Sequence, residues 1–270
     1  MQVAFQGERG AYSESAVYTF FGASVEVKPC RDLAEVFENV DKQETQYGVV
    51  PVENSLEGSV NQTYDLFLTH DLKVCGEIIL RVSHCLIANP STNLEAVKAV
   101  YSHPQALAQC RNFLERLGRE LIPTYDTAGS VKMLKEKGLK DAAAVASERA
   151  AELYGMKILA REIEDNPANY TRFFVLSQED SPITGRDKTS IIFSAAHTPG
   201  SLYTALGEFA KRNINLTRIE SRPTKQKPWE YNFYLDFEGH RGEARCAEAL
   251  KAIEKSAVFV KILGSYPRAA

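Results

Sequence analysis

Four times in the first two-thirds of the chain, a short apolar run ends in small polar residues and then gives way to helical spacing. The first is Val3-Ala4-Phe5, followed by 7–15. The second is Tyr47-Gly48-Val49-Val50-Pro51-Val52, followed by Glu53-Asn54-Ser55 and a helical stretch over about 59–70. The third covers 96–101, with Ser102-His103-Pro104-Gln105 opening the apolar spacing Ala106, Leu107, Cys110, Phe113, Leu114, Leu117. The fourth is Ala142–Ala146, then Ser147 and a helix over Glu148–Tyr154. Alternating β and α units of this kind predict parallel sheets covered by helices. Pro104 just inside the third helix and Ser147 just before the fourth mark helix starts.

Ligands of open α/β sheets bind beyond the carboxyl ends of the strands, where helix N-termini converge. Unpaired backbone N–H groups and the helix dipole favour anions there. Any one of these Ser or Asn residues is explained by helix capping. Four polar turns together point to a site for a small carboxylate or phosphate.

A polar stretch at 177–188, carrying Pro182 and Gly185, separates two apolar strand-like runs and reads as a linker. Beyond it the expected order is strand (189–195), helix (201–212), strand (216–221), strand (231–238), helix (243–255), strand (259–264). Leu202, Leu206, Phe209 and Ala210 share one helical face. This βαββαβ order is the ferredoxin-like plan.

The 270 residues include 32 basic and 35 acidic side chains, a net charge of -3, which is no footprint of a nucleic-acid binder. No apolar run approaches the roughly 18 residues of a membrane span, and the first residues show no signal peptide. The five cysteines (Cys30, Cys75, Cys85, Cys110, Cys246) form no CxxC pair, and the five histidines (His70, His84, His103, His197, His240) lack helical metal-site spacing. Unpatterned thiols in odd number fit a reducing compartment, so the expectation is a cytoplasmic protein. There is no GxxxxGK[ST] loop, Gly7-Glu8-Arg9-Gly10 lacks dinucleotide-site spacing, and no GxSxG elbow is present. Glu57 and Glu77 are lone acids. Any enzyme here is expected to work without a cofactor. The most unusual run is 165–176, where a polar turn leads through Thr171-Arg172 into an apolar strand. Thr171 is explained as a β-branched strand former, and alternatively as a hydroxyl donor beside a guanidinium, both aimed at an anionic ligand.

The chain resembles the monofunctional prephenate dehydratases along essentially its whole length. The residues that carry the resemblance are Val49-Val50-Pro51-Val52-Glu53-Asn54-Ser55 with Gly58-Ser59-Val60, Ser102-His103-Pro104-Gln105-Ala106-Leu107 with Gln109-Cys110, and Asn169-Tyr170-Thr171-Arg172-Phe173. The tail is similar to an ACT regulatory domain, with Glu220-Ser221-Arg222-Pro223 as its signature. It departs from the family at Gly200-Ser201-Leu202-Tyr203, where Gly-Ala-Leu-Val is common, a change that bears on effector selectivity.

The resemblance implies an α/β fold: a two-lobed, periplasmic-binding-protein-like catalytic module over 1–180, plus a ferredoxin-like ACT domain over 188–270. Lobe 1 takes about 1–75 and 156–180, and lobe 2 about 76–155. It implies Thr171, Asn54, Ser102 and Gln109 as catalytic residues, with Ser55, Glu53, His103, Gln105, Arg172 and Phe173 around the substrate. His103, directly before Pro104, also reads as a helix cap. The implied reaction turns prephenate into phenylpyruvate with no metal or cofactor. Thr171 donates to the leaving hydroxyl, Glu53, His103 or water supplies the proton, and Arg172 grips the pyruvyl carboxylate. L-Phenylalanine is implied as an effector at Gly200, Ser201, Leu202, Asn215, Leu216, Glu220 and Ser221, in a homodimer or dimer of dimers. With the catalytic lobe starting at residue 2, no fused chorismate mutase helix is expected. Two rival readings stay open: a cytosolic ligand sensor without catalysis, and an enzyme acting on the related acid arogenate.

Overall fold

The computed structural model describes residues 1–224 and 229–269. β1 (Gln2–Gln6) leads into α1 (Tyr12–Phe21), β2 (Glu26–Cys30) into α2 (Leu33–Asp41), and β3 (Tyr47–Asn54) through the short β4 (Gly58–Ser59) into α3 (Asn61–Thr69). After β5 (Lys73–Arg81) come β6 (Cys85–Ala88), β7 (Ala99–Ser102), α4 (Pro104–Gln109), α5 (Arg111–Leu117), β8 (Glu120–Pro123), α6 (Thr127–Lys137), β9 (Ala142–Ala146), α7 (Glu148–Tyr154) and β10 (Lys157–Ala160). β11 (Tyr170–Ser177) precedes β12 (Asp187–Ala195), α8 (Ser201–Ala210), β13 (Leu216–Pro223), β14 (Tyr231–Glu238), α9 (Ala244–Ser256) and β15 (Ala257–Pro267). The chain divides into two compact units, Met1–Leu66 with Ile78–Phe173, and Phe67–Glu77 with the chain from Phe174 onward.

The first sheet has the order β2-β1-β3-β11-β5, with β4 paired to β3. β1 is parallel to both neighbours, Val3 lying opposite Val27 and Tyr47. Val3, Ala4, Phe5, Val49, Val50 and Val52 are fully buried, the continuous apolar runs that parallel strands covered on both faces require. The second sheet has the order β10-β6-β9-β7-β8. β7 is parallel to β8 and β9, whereas β6 runs antiparallel to β9 and β10. The expected all-parallel arrangement is therefore corrected at β6. That strand arrives directly from β5 with no intervening helix, so no βαβ crossover imposes its direction.

Helix ends follow local chemistry. Ser147 Oγ accepts the Ala150 N–H at 3.1 Å and Asp126 Oδ1 that of Gly129 at 2.7 Å, ordinary N-caps. Gly10 is required where the β1–α1 loop meets α7. Its φ is +91°, and a Cβ there would lie 2.9 Å from Ala150 Cα, while the Ser147 hydroxyl donates to the Gly10 carbonyl at 2.6 Å.

The apolar stripe Ala106, Leu107, Cys110, Leu114 is buried against β7 and β9 residues. Its helix is not continuous, however, and breaks at Cys110 (φ −113°, ψ 21°). The cause lies far away in sequence. The Asp165 N–H takes the Gln109 carbonyl at 2.8 Å, and the Asp165 carboxylate accepts the Asn112 N–H at 3.1 and 3.2 Å.

In the second unit the order β13-β14-β12-β15 is wholly antiparallel. Ala205 and Phe209 of α8 and Cys246, Ala249, Leu250 and Ile253 of α9 pack on Ile191, Phe193, Leu235 and Phe237 of the sheet. This is the ferredoxin-like βαββαβ plan. Along β15, the Phe174 ring lies tilted by 58° at 5.5 Å from Tyr266, and Gly264 brings its backbone onto Val74.

Candidate active site

Asn54 ends β3, and its side chain is oriented by the chain that follows. Oδ1 accepts the N–H groups of Leu56 (3.0 Å) and Glu57 (3.1 Å), an Asx turn. Its amide nitrogen must then donate, and does so to Asn169 Oδ1 at 2.7 Å and Thr171 Oγ1 at 3.1 Å. Asn169 is fully buried. With its oxygen committed, its nitrogen donates to Gln109 Oε1 at 3.0 Å. Gln109 Nε2 turns to Glu57 Oε1 at 3.5 Å. Ser55 fixes the strand ends to each other: its hydroxyl donates to the Ala168 carbonyl and accepts the Tyr170 N–H, both at 2.9 Å.

Every amide in this relay has one orientation, read from backbone donors whose direction is not in question. Thr171 sits at its end as an acceptor from Asn54. Its own proton is not used within the relay and is available to a ligand.

Not every expected residue joins this group. Ser102 is fully buried and donates to the Val145 carbonyl at 2.6 Å, so its hydroxyl links β7 to β9. His103 Nδ1 caps α4 by accepting the Gln105 N–H at 3.3 Å. Gln105 is exposed, and Phe173 is 2% exposed, within the core. Arg172 is separated from Thr171 by strand geometry. Successive side chains of β11 point to opposite faces, and Arg172 Nη1 lies 3.8 Å from Glu53 Oε2, one residue before Asn54 on β3.

Two residues of the relay are not in the sequence-derived set. Asn169 stands inside the motif that carries Thr171, one residue before β11. His84 contributes Nε2 at 3.0 Å from Gln109 Oε1, and its signal was only a polar Ser83-His84 step between two apolar strands. The Glu164 carboxylate accepts the His84 N–H at 2.8 Å and pairs with Arg81 at 3.2 Å. Burial pushes the His84 imidazole below its ordinary value of 6.5, against opposing contributions from Gln109 and Glu164. Desolvation likewise raises the Asp126 carboxyl and the Cys110 thiol.

In the second unit a cavity of about 900 Å³ is lined by Gly200, Ser201 and Leu202 together with Thr198, Tyr231 and Phe259. Gly200 (φ +82°) opens α8, and Ser201 Oγ bonds the Thr198 carbonyl at 2.6 Å. Asn215, Leu216, Glu220 and Ser221 do not line this cavity. Leu216, Glu220 and Ser221 lie along β13. The Asn215 carbonyl accepts the Glu238 N–H at 2.9 Å, and Glu220 pairs with Arg218. Among the described residues, no cluster of His, Cys, Asp or Glu could hold a metal ion, and no helix is long and apolar enough to cross a membrane.

An α/β unit that carries an amide-and-hydroxyl site is thus joined to a ferredoxin-like unit. The prephenate dehydratase family model matches residues 3–181 and the ACT domain model residues 189–255. The chain belongs to the prephenate dehydratase family. It is 46% identical over 278 residues to arogenate dehydratase/prephenate dehydratase 2, chloroplastic, of Arabidopsis thaliana, covering 99% of this chain and 73% of that protein. The prephenate dehydratase of Arthrobacter aurescens, solved in complex with L-Phe, superposes with a TM-score of 0.91 at 33% identity, over 99% of this chain and 90% of that one. A protein described as GqqA, a novel type of quorum quenching acylase, gives the same TM-score at 35% identity, over 100% and 98%.

Proposed function

We propose that this chain is a lyase that converts prephenate to phenylpyruvate, carbon dioxide and water, and that L-phenylalanine binding at the ACT unit feeds back on it. The observation that supports the reading is the amide relay ending on Thr171, whose hydroxyl accepts from Asn54 and leaves its own proton unused within the relay. In the reaction the bond from the ring to its carboxylate breaks and its electron pair enters the ring. The opposite carbon–oxygen bond then breaks, and the departing hydroxide takes up one proton to leave as water. Aromatisation supplies the drive, so the protein's task is to steady negative charge on the departing oxygen. A preorganised donor such as Thr171 contributes about 3–4 kcal/mol to such a step.

The Asn54, Asn169, Gln109 and Thr171 side chains themselves are neutral. Neutral contacts suit a carboxylate that must become carbon dioxide, because a strong ion pair would stabilise the ground state instead. His103 or water supplies the proton, Glu53 lying with Arg172 on the opposite face of its strand from Asn54. We assign the catalytic module to 1–180 and the ACT domain to 188–270, acting as a homodimer or dimer of dimers in the cytoplasm. Gly200, Ser201 and Leu202 hold the effector.

The test is to supply purified protein with prephenate and, separately, arogenate, and to follow phenylpyruvate and phenylalanine. Turnover of prephenate that falls on adding L-phenylalanine is the expected result. Turnover of arogenate alone, or of neither acid, overturns the substrate assignment. An N-acyl substrate run in parallel tests the activity of the acylase neighbour.

A further inference from the structure

His84 stands where the chain passes from β5 to β6, and it is held on every side. It is 2% exposed. Its N–H donates to Glu164 Oε2 at 2.8 Å, its carbonyl accepts the Ile163 N–H at 3.1 Å, and the Tyr12 ring meets its ring edge-on at 5.5 Å and 85°. Nδ1 lies 2.9 Å from the Tyr12 hydroxyl oxygen, which is also 2.6 Å from the Ser83 carbonyl, and the single hydroxyl proton can go to only one of the two. Nε2 lies 3.0 Å from Gln109 Oε1.

The direction of this last bond follows from the relay. Asn169 Nδ2 already donates to Gln109 Oε1, so that atom is the carbonyl oxygen and Nε2 of His84 must carry the proton. Two donors then fill the two lone pairs of the Gln109 oxygen. A flipped Gln109 would present its NH2 to two other N–H groups and lose both bonds, at the cost of buried unsatisfied donors.

We infer that His84 is a positioning residue. Its Nε2–H holds the Gln109 carbonyl so that the Asn169 and Asn54 amides keep the orientation that leaves the Thr171 proton for the substrate. The inference rests on the proposed role of Thr171 in prephenate turnover. Tyr12 and Glu164 serve His84 in turn, fixing its ring and its backbone.

Replacing His84→Leu removes the donor at similar volume, while His84→Gln keeps an N–H near the Nε2 position. With prephenate as substrate, the Leu variant is expected to lose about 10²-fold in kcat, the scale of a misplaced catalytic group. KM should change little, and the Gln variant should recover most of the loss. An unchanged kcat in the Leu variant, or a Gln variant as slow as the Leu variant at equal melting temperature, would overturn the inference. A long-range 15N–1H spectrum of the wild-type protein needs no variant and no activity: it should show the Nε2-protonated tautomer at neutral pH. The Nδ1-protonated form would put a lone pair against Gln109 and overturn the inference. If the wild-type chain leaves prephenate untouched, the functional reading fails, and the tautomer alone decides the geometry.

Discussion

Buried polar groups serve opposite ends in the two units. In the first, Asn54, Asn169, Gln109 and Thr171 form a neutral chain whose last proton has no acceptor within it. In the second, the buried Lys188–Glu77 pair is ionic and closed on itself. Lys188 pairs with Glu77 at 2.9 Å, and Ser190 donates to Asp236 Oδ1 at 2.5 Å. The Ala269 N–H adds a further bond to Glu77 Oε1 at 2.9 Å. A closed ion pair stabilises one packing and offers a ligand nothing. An open neutral relay contributes less to folding but keeps a fixed, unspent donor for a molecule that brings its own charge.

The sharpest break of this comparison is Lys188→Met. It leaves the Glu77 carboxylate, whose side chain is fully buried, without its cation. Removing one partner of a buried pair costs about 3–5 kcal/mol, read as a lower urea midpoint. Adding Glu77→Leu should return much of that loss, since an apolar pair of similar size replaces ions without a desolvation penalty. No recovery would mean that the pair is not the ionic anchor described here.

Thr171→Val should show the reverse pattern. Asn54 Nδ2 loses one acceptor but keeps Asn169, so stability should fall by about 1 kcal/mol, the net worth of one hydrogen bond. Turnover of prephenate should fall by about 10²–10³-fold, as when a donor to developing charge is removed. A Val variant with wild-type kcat would remove Thr171 from the chemistry.

What could be read beforehand followed from local rules. The strand-end polar residues were legible because a βα turn must be polar, and the order of elements in the second unit because its apolar periods are clean. Three features were not. The helix break at Cys110 has no Gly or Pro and is imposed by Asp165, more than fifty residues away. The reversal of β6 depends on how the chain enters the second sheet, which periodicity does not encode. His84 belongs to a short polar Ser83-His84 step between two strands, and only its neighbours in space give it a task. Arg172 is different. Strand alternation alone places it on the opposite face of β11 from Thr171.

The smallest expected effect concerns protons, and it again separates the units. Burial holds the His84 imidazole below its ordinary value of 6.5 in the folded chain. Tyr12, Gln109 and Glu164, the last with its partner Arg81, face it, and the Gln109 hydrogen bond and the Glu164 carboxylate oppose the shift without reversing it. Between the folded value and 6.5 the unfolded chain binds a proton that the folded chain does not, so stability rises with pH across that window. His84 is therefore expected to contribute full stability above pH 6.5 and to lose it as the solution is acidified toward the folded value. In urea titrations the midpoint should drop below pH 6.5, and His84→Gln should flatten that part of the curve while leaving the higher-pH part in place. An unaltered slope in the Gln variant would place the acid sensitivity elsewhere and leave His84 with its hydrogen bonds but without a proton of its own to lose or gain.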